Sequence, residues 1–169
     1  MEQENRIRRS RRTGLVLGCL IALTLLFIWG NSMRNASASG AMSGSVRVWL
    51  ESLLHIPIDE FLLRKAAHFS EYALLGAELS LLLSLLSDRR GAPLAHGRNL
   101  IDFPALGFLA AAIDETIQIF TGRGSSLLDV WLDTAGCLTG FFLVFLIFKI
   151  VRSKHHANCL LYTSPSPRD

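Results

Sequence analysis

Four long apolar segments constrain the fold of this chain more than any other feature. They cover residues 14–33, 66–87, 100–120 and 127–151, and each is long enough to cross the roughly 30 Å hydrocarbon core of a bilayer. Charged residues make up only 18% of the chain, and its mean hydropathy is +0.37. These values exclude a soluble globular enzyme, a disordered chain and a nucleic-acid-binding domain. The sequence predicts an all-α, polytopic membrane protein with four transmembrane helices.

The distribution of Lys and Arg predicts how these helices are oriented. In a four-span arrangement, the segments 6–12, 89–98 and 149–154 lie on the same side and hold eleven Lys and Arg residues. The segment 34–65 and Arg123 lie on the other side, which holds five. Because the side richer in these residues stays in the cytoplasm, both termini are predicted to be cytoplasmic.

The start of the chain has an alternative interpretation. The basic N-terminus, the apolar stretch and Ala36-Ser37-Ala38 resemble a cleaved signal peptide, and Ser10-Arg11-Arg12 resembles a twin-arginine signal. The small residues come late, after Trp29, and this favours a first helix that is retained. The other three spans keep their orientation in both cases.

The predicted spans divide the chain into four parts. These are the basic N-terminus with the first transmembrane helix (1–33), an outer loop (34–65), a core of three transmembrane helices (66–151) and a cytoplasmic tail (152–169). Residues 160–169 differ in composition from the rest and resemble a translated adapter or assembly scar, so they carry no functional argument.

The outer loop contains a pattern typical of a short interfacial helix. Val46, Trp49 and Leu53 recur at helical spacing between polar residues, within the segment 45–56, and Pro57 is expected to end the helix. The alternative is a connector that packs on the helix bundle.

Polar and ionisable residues of the core are concentrated at the predicted outer ends of its three spans. Such residues are costly in a membrane and usually face a partner or a water-filled cavity. On the second span, Lys65, His68 and Tyr72 share one helical face. The predicted site consists of Lys65, His68, Glu71, Tyr72, Asp114, Glu115, Gln118, Arg123, Asp129 and Asp133.

Small residues lie on the faces that carry these acids. Gly107, Ala110 and Ala111 lie on or near the Asp114 face, and the Asp129–Asp133 stripe continues as a Gly-x-x-x-Gly pattern (136–140). Since small residues let helices approach closely in lipid, these faces are expected to pack together and to point the acids into the bundle.

The predicted layer has an excess of acids. Five carboxyl groups face the cations Lys65 and Arg123 and the titratable His68. Protonation of some carboxyl groups, a bound cation or a cationic ligand group would balance the charge. The cysteines Cys19, Cys137 and Cys159 have no metal-binding or disulfide spacing, so no metal site is predicted from them.

Structural interpretations remain open beside the functional ones. Asp129 forms a capping-box pattern with Ser126. The alternative interpretation of Asp114 is a structural partner for Arg123 or Lys65, and that of His68 is a hydrogen-bonded core histidine. Glu78 lies deeper in the second span, where it is expected to be protonated or paired with a polar group that the sequence does not identify.

Three strings resemble the signature of VanZ-like membrane proteins. They are Arg64-Lys-Ala-Ala-His-Phe-Ser-Glu-Tyr-Ala-Leu-Leu-Gly76, Asp114-Glu-Thr-Ile-Gln-Ile-Phe-Thr-Gly-Arg123 and Asp129-x-x-x-Asp133-x-x-Gly136. The resemblance covers residues 64–140 and holds at every signature position. It implies a multi-pass protein of the bacterial cytoplasmic (inner) membrane, in a family whose founding member is associated with low-level resistance to teicoplanin, a glycopeptide that acts on the cell envelope.

Three functions are consistent with these features. The first is binding of a membrane lipid, a lipid-linked envelope component or the lipid tail of an antibiotic, without catalysis. The second is an intramembrane enzyme, with His68 or Asp114 as general acid or base, Glu115 as its partner, Lys65 or Arg123 as an anion clamp, and an activated water or a metal as the attacking group. The third is a structural or accessory membrane protein whose polar layer only joins helices. The phosphotransbutyrylase label of some relatives is discounted, because no glycine-rich loop follows a strand.

Overall fold

The computed structural model describes residues 2–33, 36–90, 97–122 and 126–162, and all regular secondary structure in these ranges is α-helical. The prediction of an all-α fold is therefore confirmed. The helices are α1 (Glu2–Ser32), α2 (Ala36–Leu54), α3 (Glu60–Arg90), α4 (Gly97–Phe120) and α5 (Leu127–Tyr162).

Three of the described helices are long and apolar enough to cross a membrane. The spans are Ile7–Ser32 in α1, Glu60–Arg89 in α3 and Leu127–Val151 in α5. Helix α4 corresponds to the predicted third span, carries Asp102, Asp114 and Glu115, and is not among the three. Many large apolar side chains on these helices are exposed, such as Leu15 and Leu143, as expected for helices surrounded by hydrocarbon. The chain is therefore a membrane protein.

Helices α3 and α5 form the most extensive helix pair in the described structure. A Cβ atom on Gly76 would clash with the backbone carbonyl of Cys137, and one on Gly140 would clash with the carbonyl of Ala73. Only glycine permits backbones to approach this closely. The predicted small-residue stripe of α5 is therefore a helix contact, and α3 is the helix that it meets.

Helix α4 packs against α5 and also contacts α1 and α3. Gly107 of α4 lies against the Cys137 side chain. The carbonyl oxygen of Ala110 accepts a hydrogen bond from the Trp29 indole N–H in α1 and another from the Tyr72 hydroxyl in α3, both at 3.3 Å. One backbone group thus joins three helices, and Tyr72 is fully buried.

Glu78 has the polar partner that the sequence did not identify. The hydroxyl of Thr24 in α1 donates a 3.0 Å hydrogen bond to Glu78 Oε1. Glu78 is buried, so this contact ties α1 to the middle of α3 through a polar group. This is a structural use for Glu78 at a distance from the predicted polar layer.

The loop helix α2 is longer than the sequence predicted. It begins at Ala36 rather than near residue 45, because the Ala- and Ser-rich stretch joins the helix instead of forming a loop. It ends at Leu54, three residues before Pro57, and His55 then adopts a left-handed backbone conformation with φ 58°. The Arg47 guanidinium contacts Glu60 at 3.9 Å and links α2 to the start of α3.

The outer bounds of the long helices also differ from the predicted segments. Helix α1 includes the basic N-terminus from Glu2, and α5 continues to Tyr162, so the backbone of the predicted tail is helical up to that residue. Residues 163–169 of the predicted scar lie outside the described residues.

Candidate functional site

A cavity of about 520 Å³ lies where the beginnings of α3 and α5 meet the end of α4. Since α4 runs opposite to α3 and α5, the predicted polar positions of all three helices reach the same end of the bundle. The cavity is lined by Phe61, Arg64, Lys65, His68, Glu115, Gln118, Ser126, Leu128, Asp129, Leu132 and Asp133.

Six of the ten predicted site residues line this cavity. They are Lys65, His68, Glu115, Gln118, Asp129 and Asp133. Asp114 is fully buried beside them, Tyr72 is bonded to the α4 backbone, and Glu71 is half-buried on α3. Arg123, the predicted cation of the turn, lies outside the described residues.

Lys65 and Asp129 form an ion pair across the mouth of the site, between α3 and α5. The Lys65 and Asp129 side chains are 25% and 21% exposed, so water screens the pair only partly. The Lys65 ammonium also lies 5.2 Å from the centre of the Phe61 ring, within cation–π distance. The ion pair therefore joins the beginnings of α3 and α5 beside the cavity.

Glu115 caps the beginning of α5. Its Oε2 atom accepts a 3.0 Å hydrogen bond from the backbone N–H of Ser126, and the Ser126 hydroxyl accepts one from the N–H of Leu128. In a capping box, the carboxylate three residues after Ser126 would take the Ser126 N–H. Here Glu115 takes it from another helix, and this leaves Asp129 to pair with Lys65.

Asp114 and Gln118 bond to each other on the buried face of α4. The Gln118 amide donates to Asp114 Oδ2 at 3.0 Å, across one helical turn. Both side chains are buried. The amide therefore orients the Asp114 carboxylate towards the interior of the bundle.

Asp133 has the least satisfied carboxylate of the site. It is 1% exposed, and neither of its oxygens accepts a hydrogen bond from any described residue. Buried polar groups in folded proteins nearly always have a partner. Asp133 therefore lacks, among the described residues, the hydrogen-bond donor that a buried carboxylate normally has.

His68, Asp114 and Asp133 meet at the centre of the polar layer. One ligand-type atom from each of the three side chains lies within 4.8 Å of the other two. The three residues come from α3, α4 and α5, so no sequence spacing joins them. Chemically, the group offers an imidazole and two carboxylates, which can exchange protons or coordinate a cation.

Several residues that line the cavity were not among the predicted site residues. Arg64 is an exposed cation at the edge of the cavity, and Phe61, Leu128 and Leu132 give the cavity an apolar wall. Arg64 begins the first signature string, and that position was the available signal. The apolar residues look like ordinary span residues in the sequence, and only the helix arrangement shows that they border a polar cavity.

The fold and site define an all-α membrane protein with an amphipathic cavity at one end of its helical core. The sequence model of the VanZ/LLP1 family matches residues 13–149, which includes α1 as well as the predicted signature region. The chain belongs to the VanZ/LLP1 family, as its signature strings predicted. Comparisons with curated proteins and with solved structures gave no significant match.

Proposed function

We propose that this VanZ-family protein binds a lipid-linked or lipophilic component of the bacterial cell envelope in the cavity between α3, α4 and α5. The observation that carries the proposal is the composition of the cavity wall. Leu128, Leu132 and Phe61 offer apolar surface, while Arg64 offers positive charge at the edge. An anionic head group attached to a hydrocarbon chain needs both kinds of surface.

The proposed topology has four spans, with α4 as a span shielded by its neighbours. Its buried acids face α3 and α5, and a polar residue is tolerated in a membrane when it faces the bundle. The excess of Lys and Arg on one side supports cytoplasmic termini in the inner membrane. The cavity then opens at the outer leaflet, beside helix α2 at the membrane surface.

This location suits a protective role at the envelope. A lipid-linked cell-wall component and the acyl tail of a glycopeptide such as teicoplanin are both present at the outer leaflet. Sequestering either one would change the amount of antibiotic at its target. We propose that the low-level resistance associated with the family is exerted here through such binding.

Native mass spectrometry of the detergent-solubilised protein tests head-group recognition. The probes are a long-chain polyprenyl phosphate and, for comparison, a phosphatidylcholine with no net charge. Arg64→Ala should weaken polyprenyl phosphate binding by about tenfold or more, because a hydrogen bond to a charged group contributes about 1.5–3 kcal/mol. Arg89→Ala is the matched control at the opposite end of α3, where Arg89 contacts Ser10 of α1.

Equal binding of both lipids, or equal loss in Arg64→Ala and Arg89→Ala, would contradict recognition of an anionic head group in this cavity.

A second test fills the cavity with a larger side chain. Leu128→Trp should lower teicoplanin resistance in a susceptible bacterial host, whereas Leu127→Trp should not. Both leucines are exposed and adjacent on α5, but only Leu128 is among the cavity residues.

An intramembrane acid–base enzyme is the second candidate. The proximity of the His68 imidazole to the carboxylates of Asp114 and Asp133 favours it, since this arrangement can transfer a proton. A catalytic role predicts that His68→Gln abolishes turnover of an envelope lipid in a protein that remains folded. Binding alone predicts graded losses of affinity across several cavity residues.

A further inference from the structure

We propose that a divalent transition-metal ion, with Zn²⁺ as the best fit, binds between His68, Asp114 and Asp133. The proposal of a metal does not rest on lipid binding, although His68 and Asp133 also line the cavity. The three residues lie on α3, α4 and α5, so the ion would join the three core helices at the inner end of the cavity.

The donor atoms are close to coordination distance. They lie within 4.8 Å of one another. Two ligand atoms of a tetrahedral zinc ion are about 3.4 Å apart, since Zn–N and Zn–O bonds are about 2.0–2.2 Å long. Displacements of the donor atoms by about 1 Å would bring them to these distances. No change in the arrangement of the helices is needed.

Asp133 is the observation that points to a ligand rather than to a simple acidic cluster. Its carboxylate is 1% exposed and lines the cavity, and neither oxygen has a hydrogen-bond partner among the described residues. A buried carboxylate without a partner is costly. A cation in contact with Asp133 would remove that cost.

No side chain in the described part of the chain donates a hydrogen bond to Asp133, so this role falls to a cation from solution. The Lys65 ammonium is held by Asp129. Gln118 donates to Oδ2 of Asp114, and such a contact typically orients a metal-binding carboxylate from outside the coordination sphere. The polar layer thus contains the proposed metal ligands and, in Gln118, a side chain that orients one of them.

The donor set selects the type of metal. One imidazole and two carboxylates suit Zn²⁺ and related first-row ions, whereas Ca²⁺ and Mg²⁺ prefer oxygen ligands alone. Three protein donors leave at least one coordination position for water or for a ligand atom, as in zinc sites that are not purely structural. That position would face the cavity, because His68 and Asp133 both line it.

Zinc binding to the purified full-length protein tests the proposal directly. The protein is isolated in detergent with an affinity tag that contains no histidine, treated with a chelator and dialysed against Zn²⁺, and the bound metal is measured by mass spectrometry. We expect one equivalent of zinc per chain in the wild type. Asp133→Asn and His68→Gln should weaken binding by at least about 100-fold, since loss of an orienting partner alone costs about 10- to 100-fold.

Glu78→Gln is the matched control, because it also neutralises a buried carboxylate, in this case on α3. The glutamine keeps an oxygen that can accept the Thr24 hydrogen bond. It should bind zinc like the wild type. Asp133→Asn should unfold at the same or a higher temperature than the wild type without metal, because it removes an unpartnered buried charge. Its loss of zinc would then reflect a lost ligand in a folded protein.

Cobalt spectroscopy provides a test that depends on a gained signal. Asp133→Cys should add a thiolate-to-Co²⁺ charge-transfer band to the spectrum of the cobalt-loaded protein, and Glu78→Cys should not. The proposal is overturned if the wild type binds less than one equivalent or if Asp133→Asn binds as tightly. It is likewise overturned if binding is abolished by alanine at His155 and His156, the two consecutive histidines of the C-terminal tail and an alternative source of metal ligands. It is also overturned if both cysteine variants give the same spectrum.

Discussion

The Lys65–Asp129 ion pair should stabilise the fold by an amount that a double-mutant cycle can measure. Fully exposed pairs contribute about 0.2–1 kcal/mol. Two unit charges 4 Å apart attract by about 4 kcal/mol at an effective dielectric constant of about 20. The two side chains are 25% and 21% exposed, which places the pair between these limits. We therefore expect a coupling energy of about 2 kcal/mol.

The cycle consists of wild type, Lys65→Met, Asp129→Asn and the double variant. Each is unfolded in mixed micelles with increasing SDS, and tryptophan fluorescence reports the free energy of unfolding. The double variant should lose less stability than the sum of the losses of the two single variants, because each single variant leaves a charge without its partner.

The pair formed by Arg8 and Glu4 is the matched control. It has a 2.8 Å contact within α1, but its side chains are 73% and 65% exposed. The same cycle there, with Arg8→Met and Glu4→Gln, should give a coupling energy below about 0.5 kcal/mol. If Lys65 and Asp129 couple no more strongly than this control, the inference that they form a partly desolvated pair is refuted.

Three further substitutions test the helix contacts through thermal unfolding followed by circular dichroism. Gly136→Leu should destabilise the fold by about 1–3 kcal/mol, because its side chain would meet the backbone of α3. Gly18→Leu, which enters open space, should not. Thr24→Val removes the donor to Glu78 and should cost about 1–3 kcal/mol. Trp29→Phe removes a hydrogen bond to the α4 backbone and should cost about 1 kcal/mol. An unchanged unfolding temperature in Gly136→Leu, Thr24→Val or Trp29→Phe would contradict the corresponding helix contact.

The sequence was sufficient to predict the helices and the polar layer, because both depend on local patterns. Long apolar segments can satisfy their backbone hydrogen bonds in lipid only as helices or closed barrels. Residues three or four apart share a helical face, so the grouping of Asp114 with Gln118 follows from spacing alone. The glycines of α5 likewise indicated a close helix contact before the structure identified α3 as its partner.

The partners of each polar residue could not be predicted, because they depend on the rotation and depth of each helix relative to the others. The Ser126 pattern suggested a local cap by Asp129, yet Glu115 reaches the Ser126 N–H from α4. The grouping of His68 with two carboxylates requires three helices in register. The close contact between α3 and α5 helps to set this register. A Cβ atom on Gly140 would clash with α3, which shows how closely the two helices approach.

The two proposed sites occupy different depths of one cavity, and their charges make them interdependent. Arg64 is exposed at the edge of the cavity, whereas Asp133 is buried. The negative charge of Asp133 opposes the entry of an anionic head group. A divalent cation between His68, Asp114 and Asp133 would neutralise that charge. Zinc should therefore raise the affinity for polyprenyl phosphate, and by reciprocity the lipid should raise the affinity for zinc by the same factor. If chelation leaves lipid affinity unchanged while zinc binds with one equivalent, the two sites act independently, and Arg64 attracts the head group without help from a bound metal.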